Sequence, residues 1–125
     1  MAQAGAGDLE SQARDIKGVK VLSIQVNGFD RAQLRTLVDS LRNKWKTAVV
    51  VLASTEDSNV SIVSGVTKDL TAKVHAGKIV GVIAQAVGGK GGGRPDMAEA
   101  GGKDPSQLDA ALDEAYAAVE GLLSS

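Results

Sequence analysis

The residues best placed to do chemistry lie in Gly88–Gly102, GGKGGGRPDMAEAGG, where glycines surround Lys90, Arg94, Asp96 and Glu99. Glycine has no side chain and loses the most backbone entropy on ordering, so such a run adds nothing to a core. It suits a place where backbone N–H groups approach another molecule's phosphates or backbone. Arg94-Pro95-Asp96 favours binding over a plain flexible loop, because proline fixes one φ beside a guanidinium that can fork onto a phosphate or an acid. The common nucleotide frames fail. No Gly-Lys-Ser/Thr occurs anywhere, as a P-loop requires. A dinucleotide frame begun at Gly89 puts Arg94 where its last glycine belongs, and the run follows a predicted helix instead of opening one.

Other catalytic sets are missing. There is no cysteine, and a lone His75 cannot build a zinc site; it reads as a surface or capping residue. Ser54, Ser61 and Ser64 have no plausible neighbouring base. Asp57, Asp96 and Asp104 read as turn or cap residues. Fourteen Lys and Arg against fifteen Asp and Glu leave a net charge of −1, so any anionic partner must be met by a local patch. Lys90, Arg94 and Lys103 surround the glycine run, and Lys68, Lys73 and Lys78 flank the preceding helix. Arg42, Lys44 and Lys46 fit favourable pairing with a helix C-terminus. Phe29, Trp45 and Tyr116 are the only aromatics, too few for a base-stacking platform of the single-strand type. Trp45 fits a core anchor better than a stacking surface.

These residues need a scaffold, and 125 residues suffice for one domain that buries roughly two-thirds of its unfolded surface. Residues 1–17 read as a linker or the end of a connecting helix, with DLESQARDIK its polar part, and residues 18–125 as the globular domain. Val19–Val26 alternates as a strand and Asn27-Gly28 breaks it. Asp30 with Gln33 makes a capping box for a helix whose apolar face is Leu34, Leu37, Val38, Leu41 and Trp45. Ala48–Ala53, AVVVLA, fits a central strand covered on both sides, and Val60–Val66 should pair with it as a hairpin across Ser54–Asn59. Thr67–Val74 opens another helical stretch. A helix follows through Ala76, Ile79, Val80, Ile83, Ala84 and Val87, closed by Gly88. Asp104, Pro105 and Gln107 open the last helix, with Leu108, Ala111, Leu112, Ala115, Val119 and Leu122 as its apolar face. The expected fold is α/β: a small layered domain with a mixed β-sheet packed by helices and a glycine-rich loop before the C-terminal helix. No apolar run reaches ~18 residues and no signal peptide is visible, so a soluble cytoplasmic protein with no membrane partner is expected.

GGKGGGRPDMAEAGG resembles the glycine-rich signature of the DHHA1 domain, in the version at the C-terminal end (C-Ala) of bacterial alanyl-tRNA synthetases. RDIKGVKVLSIQV, VVVLAS, VSIVSGVTKDLTAKVHAGKIVG and the closing helix fall in family order, so the resemblance covers nearly the whole chain. The family pattern usually has Gln between the two small residues before the final glycine pair, whereas Glu99 stands here. A carboxylate cannot donate a hydrogen bond and repels phosphate, which speaks against Glu99 as a direct contact.

The resemblance implies a tRNA-binding appendage that grips the tRNA elbow, where the D and T loops meet. It would support aminoacylation and editing by upstream domains. The implied partners are tRNA, that of alanine first, and the other domains of the same synthetase; homo-oligomerisation stays open. ATP and zinc would belong to the upstream domains, so no cofactor is expected in this stretch. It should catalyse nothing itself, although its parent would be an alanine–tRNA ligase. The implied RNA-binding residues are Lys90, Gly91, Gly92, Gly93, Arg94, Lys103 and Lys78. Two alternatives stand beside it. One is the substrate-binding lobe of a DHH-type phosphoesterase, for which the chain lacks an Asp-His-His tripeptide. The other is a homodimerisation module pairing Pro105–Leu123 through Leu108, Leu112, Ala115 and Val119, against which ordinary packing on the sheet is preferred.

Overall fold

The run AVVVLA offers apolar side chains to both faces of a strand, and both faces are covered in the computed structural model, which describes residues 13–26, 29–45, 47–56, 59–93 and 96–124. In chain order the elements are β1 (Arg14–Ile16), β2 (Val19–Gln25), α1 (Arg31–Lys44), β3 (Ala48–Glu56) and β4 (Asn59–Val66). A 3-10 turn (Lys68–Leu70), α2 (Ala76–Ala86), β5 (Lys90–Gly93), β6 (Met97–Gly102), a second 3-10 turn (Pro105–Gln107) and α3 (Leu108–Ser124) complete it. One six-stranded sheet results, in the order β1-β2-β3-β4-β6-β5. β2 and β3 are parallel, with Val21 opposite Val49. Parallel neighbours need a crossover, and α1 supplies it. The other pairs are antiparallel, including the expected β3–β4 hairpin.

Alternation along β3 divides the core. Val49, Val51 and Ala53 point to the face covered by α2 and α3, among Ile62, Ile79, Ile83 and Leu108. Val50 and Leu52 point to the face covered by α1, among Leu34, Val38 and Leu41. Trp45, 7% exposed, closes that second core, so it is the anchor and not a stacking surface. The mixed α/β sheet packed by helices is therefore as expected. The Asp30–Gln33 capping box is also formed, each partner bonding the other's backbone N–H at 2.8 Å.

Three expectations change. Where a linker or the end of a connecting helix was expected, the described stretch Arg14–Ile16 is a strand, while residues 1–12 lie outside the described residues. Lys17 (φ 53) and Gly18 (φ 83) form a two-residue turn with both φ positive, which folds β1 back onto β2. Arg14 stacks 3.8 Å from the centre of the Tyr116 ring and holds the strand there. Within Thr67–Val74 only Lys68–Leu70 is helical, a single 3-10 turn, with Leu70 and Val74 buried, and the α-helix starts only at Ala76. The glycine run is a third case, described below.

The Tyr116 hydroxyl accepts from the Ser23 N–H at 3.0 Å and the Ser23 hydroxyl donates to the Leu112 carbonyl at 2.7 Å, pinning α3 to β2. Leu108, Leu112, Ala115 and Val119 are all buried against the chain's own sheet. They are not available to pair with a second copy.

Candidate nucleic-acid interface

The expected glycine-rich loop is instead a β-hairpin, with β5 opposite β6 in the register Lys90↔Gly101 to Gly93↔Ala98. Glycine disfavours strands by propensity, so the pairing is imposed from outside. A Cβ on Gly91 would overlap the Ala100 methyl and lie 3.0 Å from Ala100 Cα. One on Gly93 would lie 2.8 Å from Ala98 Cα, and one on Gly89 would overlap the Gly101 carbonyl. These glycines let β5 close onto β6. Gly92 differs, because a Cβ there would meet nothing within 4 Å. It is the open position of the strand. β5 also ends the sheet, so one row of its backbone groups is not paired by a neighbouring strand.

β6 turns alternate side chains to alternate faces. Ala98 and Ala100 join the core under α2 and α3. Glu99 and Gly101 face α1. There Glu99 meets Arg35 Nε at 2.9 Å and Arg31 Nε at 3.8 Å. Arg31 also donates to the Ala100 carbonyl at 3.4 Å. At the other end of α1, Arg42 donates to the Asp96 carbonyl at 2.8 Å and to Asp39 at 2.6 Å. The bond to Asp96 ties α1 to the start of β6 and gives Arg42 a structural part beyond its place at the helix end.

Two shallow grooves flank Glu99. One, about 380 Å³, is lined by Arg35, Gly92, Gly93, Met97, Ala98 and Glu99. The other, about 280 Å³, includes Arg31, Gly88, Gly89, Gly101 and Lys103. Of the expected contacts, Gly92 and Gly93 therefore line the first groove and exposed Lys103 the second. Gly91 belongs to the same strand but is accounted for by packing. Lys90 has its backbone in β5, while Arg94 lies outside the described residues. Lys78 is not brought to either groove. It lines an apolar groove between α2 and α3, beside Val82 and Gly121.

Arg31 and Arg35 were not among the expected contacts. Their only sequence signal is an i, i+4 spacing on the flank of α1 beside Leu34 and Val38, which reads equally as the solvated edge of an apolar face. Exposed His75 sits at the N-cap of α2 without a side-chain capping bond. Hydrogen bonds from the side chains of Thr67 and Thr47 hold the Asp69 carboxyl below its ordinary value. Asp69 thereby braces the entry to β3, away from the hairpin. Among the described residues no group of three His, Asp or Glu could hold a metal ion, and no helix is long and apolar enough to cross a membrane.

The sheet, its helices and the glycine hairpin match the DHHA1 domain over residues 18–121, and the chain belongs to that family. Within the family it is similar to alanine–tRNA ligases. It is 70% identical over 123 residues to an alanine–tRNA ligase of Solibacter usitatus and 50% identical over 123 residues to that of Aromatoleum aromaticum. Each match takes in 98% of this chain and 14% of the ligase, so the chain spans about a seventh of those relatives. The crystal structure of the C-Ala domain from Aquifex aeolicus alanyl-tRNA synthetase matches with TM-score 0.79 and 28% identity, covering 90% of this chain and 98% of that one. A DHH-domain structure described as a member of a family of ribosomal proteins shares the fold alone, at TM-score 0.54 and 11% identity over 85% of this chain and 28% of that one.

Proposed function

We propose that this chain is the tRNA-binding appendage of an alanyl-tRNA synthetase and that it grips the elbow of the folded tRNA. The observation that carries the reading is the likeness to the C-Ala domain over nearly the full length of both chains. The hairpin face supports it. Arginine forks, an exposed lysine and a groove floor with almost no side chains suit phosphate and ribose more than base edges. A structured RNA corner is recognised by such shape and backbone contacts, which fits a chain with three aromatics. The contacts proposed are Lys90, Gly91, Gly92, Gly93, Arg94 and Lys103, with Lys78 the outlying member. Ligation of alanine, with its ATP and zinc, belongs on this reading to other domains of a cytoplasmic enzyme, and alanine tRNA is the partner.

The test is binding of this chain to a labelled alanine tRNA transcript and to an unrelated RNA duplex over a range of salt, with Lys90→Ala and Arg94→Ala alongside. The tRNA should bind more tightly than the duplex, with log K falling linearly in log salt as counterions are released. Both variants should weaken it. Equal affinity for the duplex would overturn elbow recognition, and unchanged affinity in both variants would overturn the part given to the glycine-rich segment.

A further inference from the structure

Arg31 and Arg35 stand one helical turn apart and share one carboxylate, Glu99, whose side chain is 29% exposed. An acid on its own would repel a phosphate. Here two guanidiniums outnumber it, and the trio carries a net positive charge. Arg35 meets Glu99 through Nε, in a side chain that is 58% exposed, so the forked end of the guanidinium is turned to the groove and solvent. Beneath it Gly92, Gly93 and Ala98 offer no side chain larger than a methyl. Beyond Glu99, Arg31 is anchored on the Ala100 carbonyl and shares the second groove with Lys103.

We propose that the α1 side of the hairpin is a phosphodiester-binding track. Arg35 takes one backbone phosphate, Arg31 with Lys103 takes a neighbouring one, and Glu99 is the positioning residue between them. A planar fork held in place matches two phosphate oxygens and loses little freedom on binding. The low floor of Gly92, Gly93 and Ala98 lets a sugar–phosphate strand lie close to the backbone. An acidic peptide would need no such open floor. The inference rests on the RNA reading above but uses side chains which that reading does not require.

The experiment uses this chain and the same labelled alanine tRNA transcript, with thermal unfolding run on every variant. Arg35→Ala and the better-packed Arg35→Gln should each weaken binding about tenfold, since a hydrogen-bonded charge is lost. Their plots of log K against log salt should be shallower by about 0.7–0.9, the share of one phosphate. Glu99→Gln keeps an acceptor for Arg35 Nε and removes the negative charge, so its affinity should hold or rise. Glu99→Ala releases the arginines, so its affinity should fall about three- to fivefold while the chain stays folded. If the unaltered chain binds no RNA, the functional reading itself fails. If it binds and both Arg35 variants keep its affinity and salt slope, this inference alone is overturned. Glu99→Ala that binds as well as the unaltered chain, or Glu99→Gln that falls as far as Glu99→Ala, overturns the positioning role.

Discussion

β3 and β5 belong to one sheet, yet they are made strands by opposite means. β3 is AVVVLASTE, and its side chains fill two cores, one under α1 and one under α2 and α3. β5 is KGGG, and its glycines are shaped by what lies beside them, because a methyl on Gly91 or Gly93 would strike β6. The first strand organises its neighbours. The second is organised by them, and its bare backbone is free to meet another molecule. On the proposed function, one sheet thus carries stability at its centre and binding at its edge.

The contrast can be broken by substitution. Leu52→Ala removes a fully buried side chain from the centre of β3 and should cost about 3 kcal/mol, read as a lower midpoint in urea with an unchanged slope. Gly91→Ala should cost about 1–3 kcal/mol through overpacking against Ala100. Hydrogen exchange should then speed up in β5 and β6 while β3 keeps its protection. Gly92→Ala, one residue on, should change stability by less than about 1 kcal/mol, and in the stabilising direction, since it only restricts the unfolded chain. Equal losses at Gly91 and Gly92 would refute the account of β5. The smallest effect lies at the entry to β3. The lowered Asp69 carboxyl contributes stability that is present above its unfolded value, about 4, and is lost as pH falls through the folded one. Asp69→Asn should therefore flatten the acid side of the stability profile slightly, by lowering stability a little at neutral pH and leaving it unmoved below the folded value.

The sequence made the centre of the molecule legible and its edge much less so. Leu34, Val38 and Leu41 recur at helical spacing, Asp30 and Gln33 mark the helix start, and AVVVLA fits a strand covered twice. Each signal is local and is carried by side chains. β5 has almost no side chains to carry one, so its strand is visible only once β6 and the end of α2 close around it. Lys17-Gly18 hid the β1–β2 hairpin because its positive φ values leave little trace in composition. Arg31 and Arg35 look like an ordinary solvated face until β6, more than sixty residues later in the chain, places Glu99 between them. The glycine run stood out in the sequence and is the place of contact proposed above. Its partner side chains from α1 depended on long-range pairing that no local pattern encodes.

The central claim, that RNA lies along the open side of this hairpin, is tested most directly by Gly92→Glu. Space at Gly92 admits a side chain without a clash, so the variant should unfold at the temperature of the unaltered chain within a few degrees. A carboxylate there stands in the groove beside Arg35 and would meet the phosphates head on. Affinity for alanine tRNA at ~0.1 M salt should fall at least tenfold. A folded Gly92→Glu chain that binds the tRNA as tightly as the unaltered one would contradict the account.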